Sequence, residues 1–260
     1  MYRANYKLLR CAGTPVACLV SDVKKPPVLV FLHGAGSSGM VWREQWSYFK
    51  DSSAVVVVDL PGHGDSAGKG KDSIDAYAGI VAELIEGLAS GGCVLIGHSM
   101  GGAIAQKVAT ARPGLLAGLV LVSTGARLRV APQIFTAIEA GYKDYVDLSV
   151  SFSMYGPPDE RTQQAFKDIL AAASPEVAYD DFKACNAFDA LDEVAGITTE
   201  TLVVAGDRDM LTPLKYARFL HEKIAGSRLE VVPDAGHMVM MERPGAVNGA
   251  IDAFVRSLKH

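Results

Sequence analysis

Short runs of unbroken apolar residues alternate along this chain with stretches whose apolar positions recur at helical spacing. Val28 to Leu32, Ala54 to Val58, Cys93 to Ile96 and Leu116 to Ser123 are such runs. A strand apolar on both sides is covered on both faces, and the helical stretches between supply the cover. That pattern predicts a mostly parallel sheet between helical layers, an α/β fold. Residues 74 to 89 carry Ile74, Tyr77, Val81, Leu84, Ile85 and Leu88 on one stripe, and Gly91-Gly92 closes that helix. A second helix runs from Met100 to Ala111 and ends at Arg112-Pro113-Gly114. The alternation then stops. Residues 124 to 188 read as helical throughout and are crowded with aromatics, from Phe135 and Tyr142 to Phe182 and Phe188. Such a segment needs a large apolar surface to sit on, so it is expected to cap the sheet. From Thr201 the rhythm resumes: strand Thr201 to Ala205, helix Leu214 to Ile224, strand Arg228 to Val232, and a last helix from Pro244. The 260 residues thus suit one α/β core, 1–123 with 189–260, and a helical cap, 124–188.

Several function classes are disfavoured. A formal net charge of −4 leaves no electrostatic footprint for a phosphate backbone, so nucleic acid is not an expected partner. The apolar runs are too short to span a membrane, and the segment Met1 to Tyr6 lacks the apolar core of a signal peptide. Cys11, Cys18, Cys93 and Cys185 form no C-x-x-C pair, and no Cys/His cluster has zinc spacing. Neither a metal nor a cofactor is therefore expected. Four reduced thiols in a cytoplasmic protein is the favoured reading, with a Cys11–Cys18 bridge as the alternative for an exported chain. The sequence leaves a homodimer open.

Chemistry enters at Gly97-His98-Ser99-Met100-Gly101, which matches G-x-S-x-G between a buried strand and a small-residue helix. A serine hydroxyl is a weak nucleophile and must project from a sharp strand-to-helix turn towards a base. Such a turn strains the serine backbone and crowds the residues two before and two after, where Gly97 and Gly101 remove the clashing side chains. The helix start points backbone N–H groups at charge forming above Ser99. Attack on an acyl carbon makes an oxyanion that needs preorganised donors. One is expected from Met100 N–H. The other is expected from Ala35 N–H, in the loop His33-Gly34-Ala35-Gly36-Ser37-Ser38-Gly39. His33 is read as holding that loop. No Gly-Lys-Ser/Thr follows it, which argues against a phosphate cradle.

A base and an orienting acid should follow the serine on later strand-ending loops. Gly206-Asp207-Arg208-Asp209 and Pro233-Asp234-Ala235-Gly236-His237 are those loops. His237 is the expected base. Asp209 is preferred over Asp207, which begins its loop and can simply cap a turn. Gly34, Met210 and Met238 adjoin these groups and are expected to touch substrate. His63, His98, His221 and His260 are read as structural, with His98 pointing away from the cleft. Trp42 and Trp46 are read as packing a helix.

Taken in order, His33-Gly34, the segment Asp59 to Ser66, Gly97 to Gly102, Gly206 to Asp209 and Gly236-His237 make the chain resemble the α/β-hydrolase superfamily along nearly its whole length. The resemblance implies an eight-stranded, mostly parallel sheet with its second strand antiparallel and a helical cap after the sixth strand. It carries Ser99, Asp209 and His237 over as the triad, with Ala35 and Met100 as oxyanion donors. Relatives that open epoxides or remove halide have an aspartate at the position of Ser99, so acyl chemistry is implied instead. C–C bond hydrolases, lactonases, perhydrolases and ligand receptors share the architecture. Ring-cleavage C–C hydrolases commonly have asparagine, and perhydrolases phenylalanine, where this chain has His98; histidine there is common among carboxylesterases. The expected substrate is a small-molecule ester of modest, mostly apolar size. Acidic residues outnumber basic ones across 124 to 188, which offers no clamp for an anionic carrier.

Overall fold

The computed structural model describes residues 6–11, 13–23, 25–88, 92–156 and 159–258. The signal-peptide reading of residues 1–5 and the helix-ending role given to Gly91 lie outside those residues. Eight strands form one sheet in the order β1-β2-β4-β3-β5-β6-β7-β8. They are β1 (Tyr6–Cys11), β2 (Thr14–Val20), β3 (Val28–Leu32), β4 (Ala54–Val58), β5 (Cys93–His98), β6 (Leu116–Val122), β7 (Thr201–Gly206) and β8 (Arg228–Val232). Strand β2 runs antiparallel to both its neighbours, and every pairing from β4 across to β8 is parallel. This is the eight-stranded, mostly parallel sheet, with its second strand antiparallel, that the family resemblance implies.

Side-chain alternation divides each central strand between two cores. Val30, Leu32, Val56, Val58 and Leu95 face a layer built from α2 (Ile74–Leu88), α3 (Met100–Ala111) and α8 (Leu214–Lys223). Leu29, Phe31, Val55, Val57 and Ile96 face α1 (Arg43–Phe49), α9 (Val239–Glu242) and α10 (Pro244–Ser257). Trp42 and Trp46 are buried in that second core, as packing residues. All four cysteines are buried and free, so the Cys11–Cys18 bridge is not made.

Among the described residues between β6 and β7 lie four α-helices: α4 (Pro132–Ala140), α5 (Tyr142–Ser153), α6 (Glu160–Ala171) and α7 (Pro175–Ala187). Their aromatics do not all pack inward. Tyr145, Phe166 and Phe188 are buried, whereas Phe152 and Tyr155 stay partly exposed. No helix among the described residues is long and apolar enough to cross a membrane.

Parallel pairing positions the site. Leu32 pairs with Gly97, Gly97 with Leu121, Val122 with Val204, and Gly206 with Val232. The carboxyl ends of β3, β5, β7 and β8 therefore lie along one edge, where open α/β sheets bind ligands. The loops carrying Gly34, Ser99, Asp209 and His237 all leave from that edge.

Candidate active site

Strand β5 ends at His98, and α3 begins at Met100, so the whole change of direction falls on Ser99. Its backbone sits at φ 50°, ψ −113°, a strained conformation for a side chain with a Cβ. The turn tolerates nothing larger than glycine on either side. A Cβ on Gly97 would lie 2.2 Å from the Gly101 carbonyl oxygen, and one on Gly101 would lie 2.6 Å from that of Leu32.

His237 leaves β8 with its ring almost fully buried and directs Nδ1 at Asp209 Oδ2, 2.9 Å away. Asp209 is held from the other side too. Its Oδ1 accepts the N–H groups of Leu211 at 2.9 Å and Thr212 at 2.8 Å, and Oδ2 also accepts the Thr212 hydroxyl at 2.8 Å. Burial opposes the charge on this carboxyl, but His237 and the Thr212 donors outweigh it and hold its pKa below the usual carboxylate value. The competing Asp207 faces Arg208 at 3.6 Å through Oδ2 and has an unpartnered Oδ1, whereas the carboxylate hydrogen-bonded to His237 is that of Asp209. Thr212 lies 3.2 Å from His237 Nδ1 and completes the surroundings of the Asp209 carboxyl. Sequence reasoning gave it no role. The signal was its spacing: a threonine three residues after an aspartate on a loop closes a side-chain-to-backbone turn.

Between the Ser99 hydroxyl and His237 no hydrogen bond is formed. Both side chains open onto the same cavity, and in unliganded sites such contacts are often long before substrate draws them together.

His98 departs from expectation. Instead of turning away, it lies against the His237 ring with centroids 4.7 Å apart, and its Nε2 donates to the His237 carbonyl at 3.0 Å. Burial, then the neighbouring His237, lowers its pKa to about 3, so it stays neutral. It holds the backbone at His237.

His33 holds the loop after β3, as its position suggests. Leu60 N–H donates to its Nε2 at 3.0 Å, so Nδ1 carries the proton and donates to the Gly34 carbonyl at 2.8 Å. Burial, then the His63 ring, lowers its pKa well below the ordinary value and keeps that neutral form. The Gly34 carbonyl and the Ala35 N–H belong to one trans peptide and point oppositely. Anchoring the carbonyl therefore aims the N–H. Met100, at the first helical position, has an N–H without an intrahelical acceptor; its side chain is buried in the core.

The cavity above these groups has a volume of about 540 Å³. Gly34, Ala35, His98, Ser99, Met210, His237 and Met238 line its floor and rim, so every candidate residue except Met100 and Asp209 reaches it directly. Its walls come largely from the chain between β6 and β7 and are mostly apolar: Leu128, Ile134, Leu148, Phe152, Phe166 and Leu170. Among the described residues no group of His, Cys, Asp and Glu could hold a metal ion.

The model of the alpha/beta hydrolase family matches residues 29–250. The chain belongs to that family. Its relatives include a solved thermophilic esterase, 33% identical, with a TM-score of 0.83 and coverage of 97% of this chain and 98% of that one. It is 26% identical over 241 residues to the pimeloyl-[acyl-carrier protein] methyl ester esterase of Neisseria meningitidis, covering 87% of this chain and 76% of the relative. It is also 23% identical over 250 residues to karrikin insensitive 2 receptor IA of Petunia hybrida, covering 89% and 90%. This alpha/beta hydrolase thus has esterase-type homologues and a receptor among its relatives.

Proposed function

We propose that this alpha/beta hydrolase cleaves carboxylic esters of small to medium, mostly apolar substrates through a Ser99–His237–Asp209 acyl-enzyme mechanism. One observation carries the reading: the buried Asp209–His237 pair and a serine on a strained strand-to-helix turn open onto one apolar-walled cavity. His237 accepts the Ser99 proton at Nε2 as the hydroxyl attacks the ester carbonyl. Asp209 keeps the proton of the imidazole on Nδ1 and stabilises the imidazolium that forms. The N–H groups of Ala35 and Met100 receive the oxyanion. His237 then protonates the leaving alcohol, and a water that it activates clears the acyl group.

The cavity volume lies within the usual range for small-molecule sites, roughly 300–1,000 Å³. It fits an acyl or alcohol group of modest length, with Gly34, Met210 and Met238 as contacts beside the reacting carbon. In this reading residues 124–188 are the cap and 1–123 with 189–260 the core. Four free, buried thiols suit a reducing, cytoplasmic setting.

Hydrolysis of p-nitrophenyl esters from acetate to decanoate, beside a lactone and an acyl thioester, tests the substrate class. The expected result is highest kcat/KM on short and medium neutral esters. Preference for the lactone or thioester overturns the ester assignment. Similarity to a receptor favours a second reading, ligand binding with slow turnover, which steady multiple turnover of the best ester would exclude.

A further inference from the structure

A second buried histidine–carboxylate pair lies behind the proposed oxyanion hole. Asp181, on α7, is wholly buried, and its oxygens accept hydrogen bonds from three separate elements. Oδ2 accepts from Gly36 N–H at 2.9 Å and from His63 Nε2 at 2.7 Å; Oδ1 accepts from the Tyr77 hydroxyl at 2.7 Å. Gly36 is on the loop after β3, His63 on the loop after β4, and Tyr77 on α2. Both His63 nitrogens face acceptors, since Nδ1 lies 3.1 Å from the Pro61 carbonyl. Only an imidazolium donates at both positions. Burial works against that charge, yet Asp181 outweighs it and raises the His63 pKa.

A buried ion pair is a poor source of stability, because desolvation consumes most of the attraction. What a carboxylate supplies that an apolar contact does not is direction. Here the direction matters at one backbone position. Two peptide units meet at the Ala35 Cα. His33 fixes the first through the Gly34 carbonyl, and Asp181 fixes the second through Gly36 N–H. Together they set φ and ψ of Ala35, and with them the aim of its N–H. The seam is closely packed: a Cβ on Gly36 would lie 2.8 Å from the Tyr145 hydroxyl of α5 and 3.2 Å from the Ala178 Cβ of α7.

We propose that Asp181, held by His63 and Tyr77, is a positioning residue through which the α4–α7 segment seats the loop carrying the Ala35 oxyanion donor. The proposal rests on the Ser99–His237–Asp209 reading above. It assigns the segment a part in transition-state stabilisation in addition to enclosing the cavity.

The test compares wild type with Asp181→Ala, Asp181→Asn and Tyr77→Phe, using p-nitrophenyl butyrate turnover and inhibition by an alkyl boronic acid. A boronate on Ser99 is tetrahedral and uses the oxyanion donors, whereas ground-state ester does not depend on them. Asp181→Ala is expected to lower kcat about 10²-fold, near the cost of one oxyanion donor. KM should stay within about threefold, and boronate affinity should fall by the same factor as kcat. Asp181→Asn keeps an acceptor for Gly36 N–H and should recover part of the loss. Tyr77→Phe removes one hydroxyl and no bulk, so it keeps the test available if the alanine variant does not fold; a kcat fall of about three- to tenfold is expected. Folded variants with kcat and boronate affinity within about twofold of an active wild type overturn the proposal alone, as does a loss lying wholly in KM. Wild type that neither turns over esters nor reacts at Ser99 overturns the underlying reading as well.

Discussion

Asp209→Asn changes one atom, and the local geometry dictates the consequence. The carboxylate oxygen Oδ1 takes two backbone N–H groups, from Leu211 and Thr212, while Oδ2 takes His237 Nδ1–H and the Thr212 hydroxyl. An asparagine has only one acceptor oxygen. Turning its NH₂ towards the two backbone donors would leave both unsatisfied, at about 1–3 kcal/mol each. The amide oxygen therefore stays on the backbone, and the NH₂ faces His237 Nδ1. Two N–H groups cannot share that space, so the imidazole switches tautomer and carries its proton on Nε2. A base protonated at Nε2 cannot accept the Ser99 proton. The expected loss in kcat is on the order of 10⁴-fold, as for tautomer inversion in a triad, or about 5 kcal/mol of transition-state stabilisation. The fold should survive, since one charge-assisted hydrogen bond is worth about 1.5–3 kcal/mol. The assay is kcat on p-nitrophenyl butyrate with Tm measured alongside. Asp207→Asn serves as control, since Asp207 Oδ2 faces Arg208 at 3.6 Å and Oδ1 is buried without a partner; it should stay within about threefold of wild type. An Asp209→Asn enzyme keeping a tenth of wild-type kcat, or an Asp207→Asn enzyme equally damaged, would refute the reasoning.

Other outcomes follow from the same geometry. Gly101→Ala places a Cβ 2.6 Å from the Leu32 carbonyl and 2.7 Å from that of His33; a loss of about 3 kcal/mol is expected, read as a Tm fall of roughly 6–12 °C. His63 has a raised pKa, so its contribution to stability is complete below the ordinary value of 6.5 and is lost as pH rises through the higher folded value. Urea midpoints from neutral to alkaline pH should show that loss in wild type and not in His63→Gln. Asp209 acts oppositely: its depressed pKa gives stability that is complete above 3.8 and lost as pH falls through the lower folded value. An acid titration of Asp209→Asn, followed by circular dichroism, should lack that component. Ile134→Trp narrows the cavity wall and should lower kcat/KM on decanoate about tenfold more than on acetate.

Much of this was legible before any coordinates. Runs such as Val28 to Leu32 are apolar on both faces, which admits few arrangements other than a covered parallel strand, and the helix at Met100–Ala111 begins and ends where its glycine-rich start and Pro113 suggest. The glycines flanking Ser99 marked the turn because nothing larger fits there. Local pattern was silent wherever a residue's role depends on a distant partner. His98 looked structural, yet its ring reaches the carbonyl of a residue 139 positions away. Asp181 follows Asp180 on α7, about one turn after the exposed Glu176, and nothing local in the sequence sets it apart from a solvated charge. Its partners lie 104, 118 and 145 positions away in the chain. Phe152 and Tyr155 likewise stay exposed, and Phe152 lines a cavity whose existence no periodicity reports.

The most direct measurement is intact mass after exposure to diethyl p-nitrophenyl phosphate, followed by peptide mapping. A serine nucleophile activated by His237 forms one diethylphosphoryl adduct, on Ser99, with parallel loss of ester turnover and no adduct in Ser99→Ala. Esterase activity that persists in Ser99→Ala, or modification that maps to another residue while Ser99 stays free, would contradict the account.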